Sequence, residues 1–302
     1  MTAPLSNQPL ERLNAVPAPA KLNLFLHVTG RRPDGYHLLQ SVFMLIDWCD
    51  ELDFALRPDG QLSREDLHAH SALPAEDLCI KAARALQQAT GCTLGAHITL
   101  RKRIPAEAGL GGGSSDAATT LLALNRLWGL GLTRSALQAI GLTLGADVPF
   151  FLGGRNAWVE GVGEQLTPVN LPAARFVVLK PAVGASTQRI FSSPDLKRDT
   201  NTAIIQGFAA NDAEKVHQLD LNKIMQLGRN DLQPVAQAIC PEMGECLDWL
   251  SGQGLQGRMT GSGTAVFAPL QQALNSASVP GNWILRECSN LDVHPLFDWC
   301  CG

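Results

Sequence analysis

The strongest chemical signal in this 302-residue chain is the run Pro105-Ala106-Glu107-Ala108-Gly109-Leu110-Gly111-Gly112-Gly113-Ser114-Ser115-Asp116-Ala117-Ala118. Four of five consecutive positions are glycine, two hydroxyls follow, and then comes a helix-forming run. A loop stripped of side chains lets backbone N–H groups come close to a ligand. The helix behind it turns the positive end of its dipole toward the same place. The natural occupant is an anion, above all a phosphate chain. A flexible turn would account for the glycines but not for the paired serines or the helix. The loop is not a Walker A loop, because no Gly-Lys-Ser/Thr occurs in the chain. It is not a dinucleotide fingerprint either, since Ser114 stands where the third glycine belongs. The one formal G-x-G-x-x-G, at Gly252, Gly254 and Gly257, follows a helical stretch and precedes a strand-like run. That order is the reverse of the fingerprint, so it reads as a helix stop and turn.

The elements around the loop follow from periodicity. Residues 20–28 alternate strictly, with Leu22, Leu24, Leu26 and Val28 on one face and Lys21, Asn23, Phe25 and His27 on the other. Lys21 and Asn23 therefore share a strand face. Residues 30–35 form a turn, and Tyr36 to Ile46 a second strand. A helix over 75–90 ends at Gly91, and a strand over 96–104 feeds the glycine loop. Ser114 or Ser115 can cap the next helix, whose apolar stripe is Ala118, Leu121, Leu122 and Trp128, with Gly129 as its stop. Thr133 to Leu144 is a further helix, and Asp147 is placed as the N-cap of a new element beginning at Val148. From about residue 165 the texture changes. A strand over Phe176–Leu179 leads through a polar stretch to helical segments at 213–227 and 234–251, then a strand–turn–strand over 259–267. Grouped strands and grouped helices point to an α+β protein of two domains.

Composition narrows the class. The chain is 45% hydrophobic and 17% charged, enough material for two domains sharing an interface. A net charge of −4 and a pI near 6.0 argue against a general nucleic-acid or membrane binder. The one basic cluster, Arg101-Lys102-Arg103, reads as a solvated strand end or as a positive field beside bound polyphosphate. The first twenty residues lack an apolar signal core, and no apolar run approaches the ~18 residues of a membrane span. A soluble, cytoplasmic protein is expected. The eight cysteines follow no metal-binding spacing and should be free thiols. His68-Ala-His70 has no supporting ligand cluster and reads as a polar loop.

Three motifs stand in order: Pro19-Ala-Lys21-Leu-Asn23-Leu, the Gly109–Ser115 loop, and Thr260-Gly261-Ser262-Gly263-Thr264. Together they resemble the GHMP kinase superfamily of galactokinase, homoserine, mevalonate and phosphomevalonate kinases. Asp34-Gly35-Tyr36-His37, the Gly145-Ala-Asp147-Val-Pro segment and Glu160-Gly-Val-Gly-Glu164 resemble its branch acting on a cytidylylated sugar alcohol in non-mevalonate isoprenoid biosynthesis. The resemblance runs from about residue 17 to 296. It implies a tail over 1–16, an ATP-binding domain over 17–164, a second domain over 165–302, and an active site in the cleft between them.

The resemblance also implies roles. Lys21 and Asp147 would be the catalytic pair, the carboxylate receiving the proton of the acceptor alcohol and the ammonium balancing charge. Alone, Asp147 reads equally as a helix cap and Lys21 as a surface lysine. ATP would lay its phosphates along Pro105 to Ser115, with Mg²⁺ near Ser114 or Ser115 and no fixed protein metal site. Tyr36, the only tyrosine, and Phe191 would stack on the two faces of the cytosine, and His37 would hydrogen-bond its edge. Asn23, Thr187 and the Gly261–Thr264 turn would line the substrate side. The family commonly carries asparagine before Leu78, contacting adenine; here the residue is Asp77, which accepts hydrogen bonds but cannot donate them. Two other readings stand beside this one: a sibling kinase of a plain small alcohol such as homoserine or mevalonate, and a catalytically inert nucleotide-binding protein. Partners are confined to small molecules, with a monomer or weak homodimer expected.

Overall fold

A computed structural model describes residues 10–67, 76–205, 218–272, 274 and 279–300. The elements are β1 (Arg12–Arg31), β2 (His37–Arg57), β3 (Leu62–Leu67), α1 (Leu78–Thr90), β4 (Gly95–Arg101), α2 (Gly112–Leu127), α3 (Arg134–Leu142), α4 (Val148–Gly153), β5 (Ala157–Glu160) and β6 (Gln165–Pro168). Then follow β7 (Arg175–Lys180), α5 (Thr187–Ser192), α6 (Leu221–Leu227), α7 (Gln233–Ile239), α8 (Pro241–Gly252), β8 (Arg258–Met259), β9 (Val266–Leu270) and β10 (Ile284–Ser289). His68, His70 and Cys301 lie outside the described residues, as do 213–217 of the expected helix at 213–227.

Two sheets carry the architecture. In the first, β1 pairs antiparallel with β2 along their length, and the order β3-β4-β2-β5-β6 extends from the other edge of β2. In the second, β10-β7-β9-β8 is antiparallel throughout. The apolar residues of α1, α2 and α4 pack on one face of the first sheet around Phe43, Phe54, Leu121 and Phe151. A second cluster, with Leu22, Leu24, Phe25, Phe176 and Phe267, fills the space between the sheets. A third, with Leu26, Val28, Leu179, Ile190 and Met243, lies under α5, α7 and α8.

The long strands depart from the expected alternation for a physical reason. Register shifts fall between Pro19 and Ala20 and between Asn23 and Leu26. An extra residue on one strand reverses which face later side chains take. Phe25 therefore packs with Leu22 and Leu24, and Leu26 moves to the other side with Val28. The buried Arg258 donates to the Leu24 carbonyl at this irregularity, and to Met225 O at 2.7 Å. Pro17 and Pro19 sit where β1 has a partner on one side only, so their missing N–H groups cost the ladder little. The strand starts at Arg12, opposite Ala55, inside the segment read as a tail. β2 runs eleven residues past Ile46, to Arg57.

Helix boundaries hold where caps are explicit. Asp77 caps α1 through Ile80 N–H, Gly91 closes it at φ +67°, and Thr133 caps α3. The expected helix over 234–251 is two, because Pro241 cannot continue a helix and Cys240 takes an extended φ of −134° between them. The glycines at 252–257 end α8 and turn the chain into β8, as their order implied.

Candidate active site

α2 does not start at its serines. Its N-cap is Gly111, at φ +70°, and no side chain caps it. Ser114 and Ser115 lie within the first turn. Because the first N–H groups of a helix have no intrahelical acceptor, the amides of Gly112, Gly113 and Ser114 are left for a ligand. Gly111 has no room for a side chain: a Cβ there would stand 2.9 Å from Phe151 Cζ and 3.1 Å from Lys21 Cγ. Ser114 faces the cleft, near the Gly145 turn. Ser115 does not; it is fully buried, and its hydroxyl has no hydrogen-bond partner among the described residues.

The loop is locked to both neighbouring motifs by backbone. Lys21 N donates to Leu110 O at 2.9 Å, Ala265 N to Ala108 O at 3.2 Å and Thr264 N to Glu107 O at 3.3 Å. A Cβ on Gly263 would overlap the Gly109 amide nitrogen, and one on Gly109 would overlap Thr260 O. The two glycine motifs are thus in main-chain contact, which only glycine allows. Thr260 Oγ1 accepts from Asn23 N–H at 2.8 Å, and Asn230 Nδ2 donates to Met259 O and Gly261 O, both at 2.8 Å. Gly261, Ser262 and Gly263 line the cleft, but Thr264 is buried and donates to Val183 O at 2.9 Å. Its position in the motif put it with the ligand contacts; the structure makes it a brace for the loop instead.

The resulting cleft is about 980 Å³. On its floor Lys21 Nζ lies 3.5 Å from Asp147 Oδ2, bonds Asn23 Oδ1, and sits 4.7 Å from the centre of the Phe43 ring. Lys21 is 3% exposed. Burial lowers its pKa, and the charge of Asp147 opposes that fall. Asp147 occupies the cap position of α4 but makes no capping bond. Pro149, in the first turn, has no N–H to donate to it. The carboxylate is therefore free to face Lys21. Asn23 Nδ2 donates to Ser41 Oγ at 3.0 Å, which leaves one amide hydrogen without an acceptor among the described residues.

Sequence reasoning missed a buried charge cluster beside the loop. Lys102 Nζ contacts Asp50 and lies 2.8 Å from Asp116 Oδ2, and Asp50 accepts from the backbone N–H of Arg103 and Ile104. Burial, with Asp50 alongside, raises the pKa of Asp116; burial pushes the Lys102 pKa down, and the two carboxylates more than reverse that, leaving it raised. Lys102 and Asp116 both line the cleft. Its neighbours Arg101 and Arg103 do behave as strand-end charges, pairing with Asp53 and Glu51. Only burial distinguishes the middle residue, and a run of three cations does not encode burial. Asp77 also lines the cleft, but its carboxylate is taken by Ile80 N–H and the Arg64 guanidinium.

The far end is aromatic. Tyr36, His37 and Phe191 line it, with Thr187 hydrogen-bonded to Ser262 at 2.7 Å. Tyr36 is 64% exposed. His37 and Phe191 stand 5.0 Å apart, centre to centre, at 35°. His37 Nε2 takes a hydrogen bond from Arg198 Nε at 3.0 Å, a residue that sequence reasoning passed over.

An anion loop at a helix start, a Lys–Asp pair beside it and an open cleft between two sheets are the features of a small-molecule kinase of the GHMP class. The chain matches the GHMP kinases N terminal domain over residues 77–155 and the GHMP kinases C terminal domain over 205–278. It is 63% identical to 4-diphosphocytidyl-2-C-methyl-D-erythritol kinase of Polaromonas naphthalenivorans (strain CJ2), covering 99% of this chain and 100% of that protein. It is 61% identical to the protein of the same name from Paracidovorax citrulli (strain AAC00-1), covering 96% and 98%. A crystal structure of 4-(cytidine 5'-diphospho)-2C-methyl-D-erythritol kinase superimposes with a TM-score of 0.73 at 32% identity, covering 91% of this chain and 98% of that one. Homoserine kinase from Cytophaga hutchinsonii shares the fold, with a TM-score of 0.69 at 14% identity over 95% and 97%. The chain belongs to the 4-diphosphocytidyl-2-C-methyl-D-erythritol kinase family within the GHMP kinases.

Proposed function

We propose that the protein transfers the γ-phosphoryl group of ATP to the 2-hydroxyl of 4-diphosphocytidyl-2-C-methyl-D-erythritol, giving the 2-phosphate and ADP in the non-mevalonate route to isopentenyl diphosphate. The observation that carries this reading is the joining, in one cleft, of the Lys21–Asp147 pair at the glycine loop with an aromatic end formed by Tyr36, His37 and Phe191.

The chemistry follows from positions. Phosphoryl transfer needs in-line alignment and compensation of charge more than covalent help. The free amides at the start of α2 hold the ATP phosphates, and Gly261 to Gly263 close the opposite side. Asp147 accepts the proton of the acceptor hydroxyl as its oxygen attacks. Lys21 is buried, so its charge acts through a weakly screening medium on the transferring group. Asn23 holds Lys21 in place and offers its spare N–H to the acceptor. Mg²⁺ arriving with ATP would neutralise phosphate charge. Ser114 and Asp147 are oxygen donors at this place, which suits an ion that keeps most of its waters. Ser115, buried away from the cleft, does not serve it. We assign residues 17–164 to the ATP-binding domain and 165–302 to the second, and we place the enzyme in the cytoplasm. Among the described residues no helix is long and apolar enough to cross a membrane.

A plain small alcohol would leave the aromatic end unused. Phosphorylation assays with ATP and Mg²⁺ decide between acceptors: the cytidylylated alcohol, the same alcohol without its cytidylyl group, and homoserine. The expected result is turnover of the first alone, reduced by ~10²–10⁴ in kcat in Asp147→Asn. Turnover of homoserine, or full activity in Asp147→Asn, would overturn the assignment.

A further inference from the structure

Arg198 does not line the cleft, yet it holds two residues that do. Its Nε donates to His37 Nε2 at 3.0 Å, and its Nη2 donates to Phe191 O at 3.0 Å and Ser193 O at 2.7 Å. Its Nη1 donates to Leu196 O at 2.9 Å. One guanidinium thus ties the start of β2 to the end of α5 and the loop after it. These are the two segments whose rings face each other at 5.0 Å.

We propose that Arg198 is a positioning residue for pyrimidine recognition: it fixes His37 as the neutral Nδ1–H tautomer, so that the ring donates a hydrogen bond to the base instead of accepting one. The inference rests on the proposed function only in taking a cytidine nucleotide as the ligand. The logic is one of proton counting. Guanidinium has donors and no acceptor, so the bond to His37 requires a lone pair on Nε2. A neutral imidazole with its lone pair on Nε2 carries its proton on Nδ1. Among the described residues no group accepts that proton, and His37 lines the cleft. Protonating the ring would break the Arg198 bond and place a third cation beside Arg198 and Arg31. Burial, then these two arginines, hold the His37 pKa below its ordinary value.

The consequence is chemical selectivity. A donor at Nδ1 matches the two acceptors on the edge of cytosine, ring N3 and carbonyl O2. It would oppose the exocyclic amine, donor against donor. A histidine free of Arg198 could adopt either tautomer and would discriminate less. Arg198 also fixes the Phe191 carbonyl, so the stacking ring and the edge-reading ring are set by the same side chain.

The test combines a spectrum with kinetics. In the full chain labelled with ¹⁵N-histidine, long-range ¹H–¹⁵N correlations report which ring nitrogen of His37 carries the proton. The expected wild-type result is protonated Nδ1 and unprotonated Nε2, retained when CMP is added. In Arg198→Ala that preference should disappear, with KM for the cytidylylated alcohol raised about tenfold, the worth of one hydrogen bond. kcat and KM for ATP should stay unchanged. A wild-type Nε2–H tautomer, an unchanged KM for the alcohol, or an equal rise in both KM values would overturn the proposal. If Arg198→Ala fails to fold, the wild-type spectrum still decides the tautomer. Arg198→Lys, which cannot span four acceptors, then supplies the kinetic arm with the same expected rise. Should the wild type not turn over the cytidylylated alcohol, the proposed function fails, while the tautomer spectrum with and without CMP still judges Arg198.

Discussion

At the scale of single residues, one position can carry a family's binding role or a structural duty, and contacts separate the two. Asp77 stands where related kinases commonly have asparagine against adenine. Here its carboxylate caps α1 through Ile80 N–H at 3.1 Å and faces Arg64, which also holds Asp66 at 2.6 Å. A carboxylate so engaged has little left for a purine. We expect Asp77→Asn to leave KM for ATP unchanged and to lower stability by ~1–2 kcal/mol, because the cap acceptor survives and the charge opposite Arg64 does not. Urea unfolding beside steady-state kinetics checks this. A raised KM at unchanged stability would mean that the carboxylate reads the base. Lys21 is legible from its motif, but Lys102 and Arg198 are not. Lys102 owes its significance to enclosure with Asp50 and Asp116, and Arg198 to a partner 161 residues away.

At the scale of elements, the site depends on main chain meeting main chain. The glycine loop before α2 and the turn between β8 and β9 approach so closely that a methyl group has no room at Gly263. Gly263→Ala should force the two motifs apart and cost on the order of 10²-fold in kcat/KM, the usual penalty for ångström-scale misplacement of reacting groups. Gly91→Ala is the control. It shares a positive φ of +67°, but nothing lies within 4 Å of the added methyl. It should cost ~1–2 kcal/mol in stability from backbone strain alone and leave activity intact. Melting curves and kcat/KM for the two variants separate collision from strain. Equal losses of activity would refute the close-contact account. The bulge in β1 belongs here too. Alternation places Lys21 and Asn23 on one face, but only the register shift brings Leu26 into the cleft beside them.

At the scale of the whole molecule, the chain after β10 returns to the first sheet. Leu291 N donates to Leu45 O at 2.9 Å and His294 N to Gly154 O at 2.9 Å, pinning this end to the turn after α4. His294 is buried, accepts from Leu296 N–H at 3.1 Å, and has its pKa pushed down to about 3 by burial and then by Arg134. Its folded pKa lies below the unfolded value of 6.5. Below pH 6.5 the unfolded chain takes up a proton that the folded chain refuses, so stability present at neutral pH is lost as pH falls toward 3. Between neutral pH and about pH 4.5 this one group should cost about 2 kcal/mol. Urea titrations should show a shallower loss in His294→Asn, and an identical acid limb would exclude the group. The sequence by itself determined the anion loop, the pairing of Lys21 with Asn23 on a strand, the α+β class and the family, because backbone permissiveness, periodicity and local motifs are written within a few residues. Only the tertiary structure decided that Ser115 and Thr264 turn away from the cleft, that Lys102 and Asp116 enter it, and that Arg198 stands behind His37. Burial and long-range contact belong to the packed chain, and no local pattern encodes which polar side chain the packing will enclose.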